Sequence, residues 1–244
     1  RRLAIKYFGS WSGPESYSNQ TESVQKNKGD RVIFVNKPGA VQSVVYVTFP
    51  VDIHPGDKNQ LPLTVLNGIL GGGGFGTRLM HNLREDKAYT YGCYSRLNIT
   101  DNGSWISAGG NFRNSVTDSA ITEILNEFKI ISSEIVKDDE LSLIKSSMNG
   151  DFSRSLESPQ TIARFAFNII KNQLDQDYYK SYLQRLDAVS KETVLEMAKT
   201  YFKPYACNII VVGNEEVLSK IKVFDADGQI EFLDAYGDEK KQIL

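Results

Sequence analysis

Residues 68–94 read GILGGGGFGTRLMHNLREDKAYTYGCY, and this stretch decides the fold. Four consecutive glycines, Gly71 to Gly74, close an apolar segment in which Leu61, Val65 and Ile69 recur at i, i+4 and i+8. That spacing predicts a helix over 57–70, with Pro62 tolerated in its first turn and the glycines as its cap. Phe75, Leu79 and Leu83 repeat the interval and predict a second helix over 75–87, with Arg84 near its C-terminus. Residues 89–99 then alternate in the manner of a strand and carry Tyr91. Residues 104–112 alternate likewise, and Asn102-Gly103 between the two runs is a strong hairpin signal.

Outward from this centre, RVIFVN (31–36) and QSVVYVTF (42–49) read as strands parted by a Lys37-Pro38-Gly39 turn. Downstream, Val116, Ala120, Ile124, Phe128 and Ile131 form one apolar stripe, and Leu141, Ile144, Met148 and Phe152 form another. Ser158-Pro159 is an N-cap with proline at the first helical position. Two further helices lead to a last buried strand, ACNIIVV (206–212), ending at Gly213. The sum is an α+β chain: a largely antiparallel sheet of about five to six strands with helices packed on one face.

Residues 1–8 read as the tail of a preceding domain. Residues 9–29, rich in Ser, Gly, Asn and Gln, read as a linker. The main domain is expected over 30–222, with 223–244 as a C-terminal extension. The chain opens on Arg1 rather than Met, without an apolar signal segment, and reads as a piece cut from a longer protein.

With 244 residues, 41% hydrophobic and 24% charged, the chain can bury a core without metal or disulfide support. A net charge of −2, both signs interspersed, excludes the basic face of a nucleic-acid binder. No apolar run is long enough to span a membrane. The two cysteines, Cys93 and Cys207, lie in strand-like runs and read as buried thiols.

Gly71, Gly73 and Gly76 formally spell G-x-G-x-x-G, but a helical pattern precedes them and no acidic residue follows at the required distance. Nucleotide binding is thus a remote alternative. His81 and Glu85 share a helix face, yet the chain holds only two histidines, His54 and His81, and no H-x-x-E-H. No zinc site is expected in this chain. Composition and spacing alone make Arg84 a cation suited to a helix C-terminus and Tyr91 a packing residue. Arg78 reads as structural.

The letters from Phe75 to Tyr91, F-G-T-R-L-x-x-x-L-R-E-x-K-x-x-x-Y, resemble the second, non-zinc-binding half of insulinase/pitrilysin-type zinc peptidases, a family that includes the mitochondrial processing peptidases. The order of elements agrees over roughly 28–222. The resemblance implies that Arg84 and Tyr91 are catalytic in trans, binding a substrate carbonyl at a zinc site built by the other half. It implies that Gly72, Gly73, Gly74 and Phe75 border the peptide chamber. The implied partners are a zinc-bearing N-terminal half or homologous subunit and a peptide substrate, with zinc in the partner and no cofactor here. This chain alone would then be inactive. The same resemblance leaves open a non-peptidase structural subunit of this fold.

Overall fold

The computed structural model describes residues 1–13, 28–202 and 207–239. Most of the linker read over 9–29 therefore lies outside the described residues. Arg2–Phe8 forms a short helix, α1, with no buried residue.

One six-stranded sheet organises the rest, with strands β1 (Arg31–Asn36), β2 (Gln42–Val51), β3 (Cys93–Asn98), β4 (Ser104–Arg113), β5 (Asn208–Gly213) and β6 (Glu231–Leu233) in the order β3-β4-β2-β5-β1-β6. The pairs β2–β4, β2–β5 and β3–β4 are antiparallel; β1–β5 and β1–β6 are parallel. Strand β6 comes from the stretch read as an extension, so the sheet continues past residue 222. Its three residues alternate too briefly to signal a strand in sequence.

Alternation decides which face is covered. Along β2, Ser43, Val45, Val47, Phe49 and Val51 are buried. Their partners on β4 include Phe112, Ala108 and Ile106, also buried. The opposite face carries Tyr46, Tyr94 and Trp105, between 43% and 48% exposed. On the covered face α2 (Gln60–Asn67), α3 (Arg78–Met80) and α4 (Thr117–Ser133) lie against the strands, α8 (Lys191–Tyr201) packs on α2 and α4, and α5 (Asp138–Ser155) and α7 (Tyr182–Asp187) pack on α2. The helix α6 (Pro159–Lys171) stacks on α5 through Phe165 and Phe152. The α+β reading with helices on one face is correct.

An aromatic knot joins the layers. Phe49 of β2 lies 4.6 Å from Phe128 of α4 between ring centroids, and Phe128 meets Phe202, just after α8, edge-on at 5.0 Å. All three rings are at most 2% exposed. Burial of each contributes about 1.5–3 kcal/mol, so this contact fixes α4 and α8 over the sheet centre. Both cysteines are buried and unpaired. Burial, with Glu127 adding to it, pushes the Cys93 thiol up to about 12. Burial and then Asp30 likewise raise the Cys207 thiol, so neither is a nucleophile at neutral pH.

Candidate functional site

The glycine run does not cap a helix, as its sequence leads one to expect. It continues α2 as a wider π turn, Gly68–Gly72, marked by the Gly73 N–H donating to the Gly68 carbonyl at 3.1 Å. Two glycines explain why the chain tolerates this. A Cβ on Gly71 would stand 2.5 Å from the Ser95 nitrogen of β3, so only glycine lets this turn lie against the strand. Gly74 has φ of +87°, where a side chain would be strained. The Thr77 hydroxyl, buried, then donates to the Gly74 carbonyl at 2.9 Å and closes the loop.

The next helix begins at Arg78, not at Phe75. It runs as α3 and continues as a second π segment, His81–Asp86. Leu79, Met80 and Leu83 are buried in the core. Phe75 falls before the helix and is 72% exposed, so it does not belong to the apolar stripe. π turns inside helices concentrate at functional sites, and here two of them flank one loop.

Two arginines on this helix differ sharply. Arg78 is held by Glu140 of α5 through a bidentate pair, at 2.6 and 2.8 Å. Arg84 is half-buried; its Nε lies 3.4 Å from the neighbouring Glu85 carboxylate and its guanidinium 5.0 Å from the centroid of Phe75. The structure thus brings Arg84 to Phe75 at the end of the Gly72–Gly74 loop.

Tyr91 is not in a strand. Its segment is turned by the Thr90 hydroxyl, which donates to the Gly92 carbonyl and accepts from the Gly92 N–H, so β3 begins only at Cys93. The Tyr91 side chain is 91% exposed. It makes no hydrogen bond or ring contact with Arg84 or Phe75 among the described residues. Between Arg84 and Tyr91 the helix is stopped by Ala88 in a left-handed conformation, φ 51°, with its carbonyl accepting from Arg113 at 3.1 Å. Sequence offered no sign of this, because glycine or asparagine usually fills such a position.

Residues that sequence reasoning missed lie behind this helix. The Asn82 amide donates to Glu127 at 2.7 Å and to Glu123 at 3.1 Å, both on α4. Glu140 also accepts from the Lys137 N–H at 2.8 Å. The only sequence signal for Glu140 was its place in the acidic first turn of α5, which says nothing of Arg78.

The described residues do not fit a zinc ion. Among the described residues no three His, Cys, Asp or Glu side chains come together as metal ligands. His81 is exposed and its Nδ1 lies 3.2 Å from Asp86.

The sequence model of the peptidase M16 inactive domain matches residues 1–148. The chain belongs to this family. It is the C-terminal half-domain type of an insulinase-type peptidase. YmxG of Bacillus subtilis (strain 168), described as an uncharacterized zinc protease, is 27% identical over 211 residues, which is 84% of this chain and 50% of YmxG. This M16 chain therefore spans about half the length of that relative. The M16 inactive domain from Pseudomonas fluorescens superposes with a TM-score of 0.72 at 21% identity, over 79% of this chain and 45% of that one. A protease from Helicobacter pylori superposes at 0.73 with 22% identity, over 87% of this chain and 51% of that one. Likeness at this identity carries the fold.

Proposed function

We propose that this chain is the substrate-binding, non-catalytic half of a zinc-dependent endopeptidase, and that it supplies Arg84 and Tyr91 to a zinc site held by another half or a homologous subunit. The observation that carries the reading is the contrast between the two arginines. Arg78 is consumed by a partly buried bidentate pair, whereas Arg84 rests on an exposed ring. A cation over an aromatic face at an exposed site is held by about 0.5–1 kcal/mol, weak enough to be exchanged for a substrate oxygen. Tyr91, with its ring in solvent, is equally free to meet a partner across an interface.

The chemistry suits these two groups. Zinc in the partner half would supply the activated water. Peptide hydrolysis develops negative charge on the scissile carbonyl oxygen, and preorganised donors aimed at that oxygen accelerate the reaction. Arg84 offers a fork of guanidinium N–H donors, and Tyr91 a phenolic hydroxyl. Gly72, Gly73 and Gly74 present backbone without side chains, which lets an extended peptide approach closely, and Phe75 gives it an apolar wall.

The test is turnover by the assembled enzyme, this chain together with its zinc-bearing half. Arg84→Ala and Tyr91→Phe are each expected to lower turnover, by about 100-fold for a lost oxyanion donor, with the melting temperature of this chain nearly unchanged. If both hold one oxygen, the double variant should lose less than the product of the two. A structural subunit of the same fold, the rival reading, predicts no catalytic loss in either. Normal turnover with a large fall in melting temperature would overturn the proposal.

A further inference from the structure

The helix that carries Arg84 is held from behind by three carboxylates on two other helices. Glu140 of α5 grips Arg78 at the helix start, while Glu127 and Glu123 of α4 accept from Asn82 one turn later. Glu123 also lies 3.6 Å from Lys87, beyond the helix end. Glu127 is only 9% exposed, and the Arg78 and Glu140 side chains are 14% and 21% exposed.

These groups are a poor way to gain stability. The network leaves Arg78 Nη1 and Asn82 Oδ1 buried without partners, which costs free energy. Apolar side chains of similar volume would hold two helices together at least as well. What a bidentate fork adds is direction: it accepts one rotation of the helix and rejects its neighbours. Rotation matters at this helix. A helix is about 10–12 Å across, so turning it by about 10° moves side-chain ends by about 1 Å. Displacement of a reacting group by about 1 Å can cost about 100-fold in rate.

We propose that Glu140 is a positioning residue: through Arg78, and together with Glu127 on Asn82, it sets the rotation of the Arg78–Asp86 helix and so the point at which the Arg84 guanidinium meets substrate. The inference rests on the reading that Arg84 is a substrate donor. Glu140 touches neither substrate nor reacting atoms; it acts only through the helix.

A double-mutant cycle in the assembled enzyme tests it. Glu140→Gln keeps the shape of the side chain and removes its charge. It is expected to lower kcat about tenfold with KM within about twofold, and Arg78→Lys, which loses the fork, should do the same. In an Arg84→Ala background, Glu140→Gln should have no further effect on kcat. A merely stabilising role would give the same loss with or without Arg84, or none at all, and either result overturns the proposal. If Glu140→Gln does not fold, Glu140→Asp, which keeps the charge and shortens the reach, is read through the same cycle. Failure of the underlying reading is separate: there Arg84→Ala alone leaves kcat intact.

Discussion

Residue by residue, the site is built on contrasts within one short helix. Arg78 and Arg84 share an element, yet one is spent on Glu140 and the other lies at the surface over Phe75. Ala88 is the strained member of the set. A left-handed alanine costs about 1–2 kcal/mol, while glycine at the same place loses about 0.5–1 kcal/mol more chain entropy on folding. Ala88→Gly should therefore raise stability by about 0.5–1 kcal/mol, read as a higher melting temperature or denaturant midpoint. A fall would show that the alanine methyl makes a contact that outweighs the strain. The residues resisted sequence reading for physical reasons. Phe75 has the spacing of the Leu79/Leu83 stripe, but the glycines before it leave the chain non-helical until Thr77. Tyr91 has strand-forming neighbours, but the Thr90 hydroxyl offers its backbone a local alternative to the ladder.

Among the elements, five of the six strands and the long helices were legible because each carries an unbroken period: two along β2, and three to four along α4; the three residues of β6 are too few to show one. The π segments were not. Both depend on tertiary support, Gly71 against β3 and Asn82 against α4, that no local pattern encodes. The tie between α3 and α5 is likewise invisible in sequence, with its partners 62 positions apart. It has a measurable titration. Burial alone would raise the Glu140 carboxyl; the Arg78 hydrogen bonds and charge, with the Lys137 N–H, outweigh it and hold the group below its ordinary value. A depressed carboxyl stabilises the fold above its unfolded pKa and loses that contribution as pH falls through the folded pKa. The gap in melting temperature between the native chain and Glu140→Gln should be full at neutral pH. It should close progressively once pH drops below about 4.3, the ordinary glutamate value. A gap that stays constant or widens in acid would show that Arg78 does not depend on the carboxylate charge.

On the scale of the whole molecule, the chain is a folded M16 inactive domain that spans about half of its curated relative. In the proposed division of labour its side chains supply donors, and the other half supplies the activator of water. Arg84 and Tyr91 are hydrogen-bond donors, and both thiols are buried with raised pKa values. The two histidines are exposed and 27 positions apart, and no ligand cluster forms around either among the described residues. On the proposed reading, the activated water comes from the zinc-bearing half. The purified chain should retain no stoichiometric zinc after dialysis and should not turn over peptide. Addition of the zinc-bearing half should restore chelator-sensitive hydrolysis, and the rate should rise with this chain until the two are equimolar. Metal analysis and a fluorogenic peptide assay, run on each half and on the mixture, decide the matter. One tightly held zinc per chain, or chelator-sensitive turnover by the chain alone, would mean that this domain builds its own metal site and that the division of labour drawn from Arg84 and Tyr91 is wrong.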